Sequence, residues 1–190
     1  LGVMKKKFLG IVVIVSLFLG IGMIFVPTVV AQTLDLSMVQ PGDILLGRNP
    51  NAGQTAITYY THAALVIDRN VTIEIRGNGY TVDVYPITDW AGWFKNKAFT
   101  RVAILRVNNA SSYHKEAAIN KAKEAWGKPY WWIYPLSKFP NPQYHYCSSL
   151  VWHAYRWGVA IDLDYNGGSY VLPDDIALDN DIKYISVQGQ

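Results

Sequence analysis

The stretch "THAALVIDRNVTIEIRG", residues 61–77, constrains the fold of this chain more than any other. An apolar run is followed by the turn signal Asp68-Arg69-Asn70 and then by alternating apolar and polar residues. Two such runs with so short a connection pair as an antiparallel hairpin. Register then decides which side chains share a face, because a one-residue slip sends every side chain of a strand to the other side. A three-residue turn over Asp68-Arg69-Asn70, with Asn70 left-handed, sets Ile67 opposite Val71 and Ala64 opposite Glu74. Glu74 is then a diagonal neighbour of His62, and Ala64 is too small to separate them. A two-residue turn would put Glu74 on the opposite face. By spacing alone, the pair fits equally a carboxylate holding an imidazole and a surface hairpin with an ordinary Glu.

The rest of the chain supplies a core for such a sheet. With 190 residues, 51% hydrophobic and 16% charged, it is long and apolar enough for one ordinary domain and too apolar to be disordered. The net charge of +3 comes from Lys5, Lys6 and Lys7; residues 32–190 carry 14 basic and 14 acidic side chains. A neutral body without basic runs argues against nucleic-acid binding. "MKKK" leads into 19 uncharged residues, Phe8 to Val26, and "PTVVAQ" follows, with Val29 and Ala31 spaced as a small-residue cleavage site. Residues 1–31 are therefore expected to be a signal peptide or an N-terminal membrane anchor, and residues 32–190 to work outside the cytosol, secreted or tethered.

Cys147 is the only cysteine in the sequence, so it cannot form an internal disulfide. In an oxidising compartment a lone thiol is either buried or used. In "YHYCSSLVWHAYRWG", Leu150, Val151 and Ala154 follow Cys147 at helical spacing, and Gly158 stands where a left-handed cap would end the helix. Upstream, Pro140 and Pro142 forbid helix. Cys147 is thus expected in the first turn of a helix over 147–157, where free amide N–H groups and the positive dipole end favour a thiolate. The competing reading is a small buried hydrophobe.

A thiolate nucleophile needs a partner that handles protons. His153 lies six residues on, about 240° round the helix, and points away. His145 sits in irregular chain without an evident orienting partner. His114 opens a helix over 112–126, capped by Ser111 or Ser112 and stopped by Gly127, and reads as a solvated first-turn residue. His62, with Glu74 behind it, is left. No phosphate loop, Cys pair or His-x-x-x-His motif points to a metal or cofactor, and Cys147 with His145 and His153 makes a poor ligand set on a helix. The aromatic clusters "WAGWF" and "PYWWIYP" read as packing between sheet and helices.

Six segments in order resemble the circularly permuted NlpC-type (YiiX-like) papain-like cysteine peptidases and amidases, over roughly residues 38–178: "VQPGDILL", "THAALVID" with "TIEIRGNG", "VAILRV" with Arg106, "AKEAWGKPYWW", "YHYCSSLVWHAY" and "LPDDIAL". His62 precedes Cys147 by 85 residues, the reverse of the ordinary papain order, as a circular permutation implies. After Tyr130 the chain runs through "WWIYPLSKFPNPQYHY", where many relatives carry a glycine-rich turn. The resemblance implies an α+β papain-like fold, an antiparallel sheet or small open barrel packed against helices. It assigns Cys147 as nucleophile, His62 as base, Glu74 as orienting residue and Tyr130 to the oxyanion or substrate region, with no cofactor or metal. The activity it implies is hydrolysis of an amide or peptide bond in cell-envelope peptide. A lipid-amide substrate, acyl transfer, or envelope binding without catalysis are the alternatives. The membrane would be met only through the N-terminal segment.

Overall fold

A computed structural model describes residues 33–53, 57–132 and 138–190 of the chain. The leader, with its cleavage or anchor, and residues 133–137 of the aromatic stretch lie outside the described residues. The described residues fall within a single compact unit, Ala31–Gln190.

Three near-continuous apolar runs form the middle of one sheet: β1 (Ile44–Arg48), β2 (His62–Asp68) and β5 (Arg101–Val107). Around them pair β3 (Val71–Glu74), β4 (Asp83–Pro86) and β6 (Ile182–Gly189), giving the order β4-β3-β2-β1-β5-β6 with every pairing antiparallel. The sheet is open, with β4 and β6 at its edges. β6 completes the edge beyond β5; its half-exposed alternation is a weak signal beside the central runs, and no strand was expected there.

The central strands are apolar on both faces because both faces are covered. On one face Ile44, Leu46, Ala63, Leu65, Ala103 and Leu105 pack with the helices α2 (Ser112–Lys123), α3 (Cys147–Val159) and α4 (Pro173–Leu178). On the other, Leu45, Ala64, Val66, Val102 and Ile104 meet Trp90 and Phe94 of α1 (Thr88–Lys95), with Phe99. "WAGWF" is therefore core packing, as expected. Asp43, at the start of this core, is fully buried and held by Arg106, with Nε to Oδ1 at 2.7 Å and Nη2 to Oδ2 at 2.8 Å.

Three local readings are corrected. The hairpin turn has two residues, Arg69 and Asn70, between the paired Asp68 and Val71, and Asn70 is not left-handed. A β-bulge between Val66 and Asp68 then shifts the register, so that Val66 faces Thr72 and Leu65 faces Ile73. Continued one step, this sets Ala64 opposite Glu74, the expected register reached by another route: the extra residue moved from the turn into the strand. The nucleophile helix does not stop at Gly158; Ala160 takes the left-handed cap at φ 60°. Gly158 serves packing instead, since a Cβ there would lie 3.0 Å from the Ala117 carbonyl oxygen and 3.1 Å from the Ala118 Cα of α2. Finally, α2 ends at Lys123 rather than 126, with turns leading to the left-handed Gly127 at φ 78°. Its start is as expected: the Ser111 hydroxyl accepts from His114 N–H, and His114 Nδ1 accepts from Ser111 N–H.

Candidate active site

Cys147 is the first residue of α3, so its own N–H has no acceptor within the helix. The entry of the chain into α3 is fixed by Ser149, whose hydroxyl accepts from Tyr146 N–H at 2.9 Å. His62 is the first residue of β2, and the segment before it is anchored from two sides. Thr61 N–H donates to the Gly47 carbonyl at 2.9 Å. The Asp174 carboxylate at the start of α4 accepts from Tyr59 and Tyr60 N–H. The α3 terminus and the β2 terminus meet at one end of the sheet.

There the Cys147 side chain and the His62 imidazole are neighbours, and each shifts the protonation of the other. His62 Nε2 is bonded to Glu74 Oε2, which leaves Nδ1 for the sulfur. Glu74 is fully buried, and its other oxygen accepts from Thr72 Oγ1 at 3.1 Å and Arg76 Nη2 at 3.2 Å. Arg76 also donates to Asp89 at 2.8 Å and lies over the Tyr85 ring at 3.4 Å. The result is one line, Cys147–His62–Glu74–Arg76–Asp89. The imidazole is further held by rings: Trp90 and Phe99 stack on it with centroids at 5.5 and 6.1 Å. Gly47, opposite His62, leaves room for that stack, because a Cβ there would come within 2.7 Å of the Phe99 ring.

Electrostatics favour the ion pair. Burial works against the thiolate, but the hydrogen bond and charge of His62 and the N–H groups of Ala63 and Ser148 outweigh it and hold the Cys147 thiol below its ordinary value. Burial likewise opposes a charged imidazole, yet the contacts with Cys147 and Glu74 raise His62. Glu74 is lowered despite its burial by the hydrogen bond and charge of His62 and then by Arg76. Thiolate, imidazolium and carboxylate thus stabilise one another, as nucleophilic chemistry by sulfur requires.

Tyr130 is half-buried, and its backbone bridges to His145, two residues before Cys147. Burial, followed by the charges of Cys147 and Tyr146, pushes its hydroxyl well above the ordinary range, so it stays protonated. His153 points away from the site, as its helical position requires, and its Nε2 bonds the Pro140 carbonyl at 2.8 Å. His145 is buried against His153, ring centroids 5.1 Å apart, and neither of its nitrogens has a hydrogen-bond partner. Burial pushes both rings down, His145 to about 3 and His153 to about 4, so this pair is neutral at pH 7. Arg76, Gly47, Phe99 and Asp174 escaped the sequence reading. Only Arg76, two residues after Glu74 on an alternating strand, carried a usable signal: it shares the face of Glu74.

Residues 38–172 match a family described as permuted papain-like amidase enzymes, YaeF/YiiX, family C92. The chain belongs to that family. It is accordingly an enzyme of the papain-like cysteine amidase class, with the reversed His-to-Cys order that permutation gives. Among solved structures, it is similar to the crystal structure of the metalloprotein YiiX from Escherichia coli O157:H7. Identity is 18%, the TM-score 0.62, and the match covers 80% of this chain and 98% of that one. At that identity the likeness speaks for the fold. No curated protein matches the chain. Among the described residues, no group of three or more His, Cys, Asp or Glu side chains is placed to hold a metal ion. At the site, the imidazole engages the carboxylate on one side and neighbours the sulfur on the other.

Proposed function

We propose that the protein hydrolyses an amide bond through an acyl-enzyme on Cys147, with His62 as base and Glu74 as orienting residue. The observation that carries this reading is the bond from His62 to the buried Glu74, with Cys147 next to that imidazole at a helix N-terminus. The thiolate attacks the carbonyl carbon and the C–N bond breaks. The imidazolium of His62 gives its proton to the leaving amine and then takes one from the water that releases the acid. The developing oxyanion is met by the Cys147 backbone N–H, with the Tyr130 hydroxyl as second donor. In this reading the substrate is an envelope peptide or a lipid amide, and the enzyme works outside the cytosol, carried there by residues 1–31. Acyl transfer in place of hydrolysis uses the same acyl-enzyme with an amine or alcohol as acceptor.

The test is mass spectrometry of envelope peptide fragments and of lipid extracts incubated with the protein and with Cys147→Ala. Cysteine-dependent gain of 18 mass units across a cleaved amide supports hydrolysis, and a new acyl conjugate supports transfer. Extracts left unchanged by the protein would overturn this substrate reading.

A further inference from the structure

One loop outside the reaction carries the spacing of an ion site. "DLDYNGGSYVLPDD", residues 162–175, runs from beyond α3 into α4. Asp162, Asp164 and Asn166 alternate along it and Gly167 follows, the spacing by which calcium loops present side-chain oxygens before a sharp turn. Gly167 takes the left-handed conformation that such a turn needs, at φ 65°. Beyond the turn the pattern departs from a helix-loop-helix calcium hand, because Pro173 stands where a glutamate would close the loop. Asp162 is engaged elsewhere, its Oδ1 accepting from Trp152 Nε1 at 2.7 Å. Asp175, two residues after Pro173, reaches the loop instead.

The remaining oxygens converge. Lys138 Nζ is bonded both to Asp164 Oδ2 and to the Gly168 carbonyl, so a cationic group stands where these two acceptors meet. Asn166 Nδ2 donates to Asp175 Oδ1, and Asn166 Oδ1 accepts from Gly168 N–H at 2.6 Å. The ammonium does not satisfy this cluster. The Asp164 side chain is 3% exposed, and among the described residues its buried Oδ1 has no hydrogen-bond partner. Asp175 is buried as well, and burial, followed by the charges of Asp164 and Asp174, holds its carboxyl above the ordinary value. A buried carboxylate oxygen without a donor is costly, so the loop is short of positive charge. Against two buried carboxylates Lys138 supplies a single charge, whereas a divalent ion in its place would balance both.

We propose that this loop is a calcium site, formed by the Asp164 carboxylate, the Asn166 amide oxygen, the Gly168 carbonyl and the Asp175 carboxylate, with Lys138 as the cation that Ca²⁺ displaces. Oxygen donors suit a hard cation and not the softer metals that prefer imidazole or thiolate. An irregular loop with a main-chain carbonyl donor favours Ca²⁺ over Mg²⁺, which keeps its waters and demands near-ideal octahedral geometry. The ion would fasten a segment that holds both chain neighbours of Cys147. Val171 N–H donates to the Tyr146 hydroxyl at 3.0 Å, and the Ser148 hydroxyl donates to the Val171 carbonyl at 2.7 Å. The site itself does not depend on the role of Cys147.

The test titrates the purified full chain with Tb³⁺, a hard-cation substitute for Ca²⁺ whose emission is excited through nearby rings, here Tyr165 within the loop and Trp152 beside it. The expected result is saturable emission that Ca²⁺ displaces at about 10⁻⁴–10⁻³ M, the range of extracellular calcium modules, and that equal Mg²⁺ leaves in place. Ca²⁺ should also raise the midpoint of thermal unfolding. Because ligand charge sets affinity, Asp164→Asn should weaken Ca²⁺ binding by about tenfold or more, and Lys138→Met, which removes the competing ammonium, should tighten it by about threefold or more. Circular dichroism shows whether each variant is folded, and Lys138→Met decides the matter if Asp164→Asn is not. Absence of saturable emission from the natural chain, or a Ca²⁺ affinity unchanged in Lys138→Met or in folded Asp164→Asn, overturns the site and leaves Lys138 as the permanent counter-ion of the loop.

Discussion

At the scale of the residue, the site is a contest between burial and partnership. Cys147, His62 and Glu74 each lose solvation, and each is kept charged by the next in the line. A lowered thiol value means that thiolate persists below the pH of about 8.5 at which free cysteine ionises. Alkylation of Cys147 by iodoacetamide should therefore set in at a lower pH than alkylation of free cysteine. His62→Ala, which removes the dominant favourable partner, should move the onset up towards 8.5. An onset that stays put in that variant would deny the ion pair. Glu74→Gln keeps the shape but loses the charge that stabilises the imidazolium. Turnover should fall by roughly one to three orders of magnitude without vanishing, whereas Cys147→Ala should abolish it. Measured kcat for the two variants on a common substrate distinguishes orienter from nucleophile; equal losses would remove the distinction.

At the scale of the element, two glycines show what placing these residues requires. Gly158 lets α3 approach α2 until backbone nearly meets backbone. The helix carrying Cys147 is thereby seated against the layer that supports it. Gly158→Val should cost about 1–3 kcal/mol, because the clashing atoms are a carbonyl oxygen and a Cα that cannot rotate aside. Chemical denaturation would register this as a lower midpoint, and an unchanged midpoint would mean that the helices have slack. Gly47 acts on function through the Phe99 ring that stacks on His62. Displacing that ring with Gly47→Val should slow Cys147 alkylation at pH 6.5 more than it lowers stability at the same pH. A stability loss with normal alkylation would reduce Gly47 to a packing residue.

At the scale of the whole molecule, the buried pair His145 and His153 ties stability to pH. Unfolded imidazoles titrate near 6.5, whereas these sit at about 3 and about 4 in the fold. Between those values the unfolded chain binds protons that the folded one refuses, so stability rises with pH and is lost as pH falls below 6.5. The slope approaches about 1.4 kcal/mol per pH unit for each ring. Replacing His145 with Gln should flatten the fall in unfolding free energy between pH 6.5 and 4.5; an identical slope would contradict the shifted value. What the sequence by itself determined was local: the antiparallel hairpin, the capped start of α2 and the first-turn place of Cys147, whereas the pairing of His62 with Glu74 hung on a register that spacing left open. Each rests on period, capping or steric exclusion within some twenty residues. Tertiary structure decided the rest. A bulge at Ile67, invisible in the residue pattern, kept Glu74 on the face of His62 after the turn had tightened to two residues. Gly158 read as a helix stop because local signals cannot see the neighbouring helix that needs its missing side chain. β6 joined the sheet at a distance of some 75 residues from its partner β5. The aromatic stack on His62 and the Arg76–Asp89 support of Glu74 arise only when α1 closes over the sheet, since contacts between distant segments leave no period in the sequence.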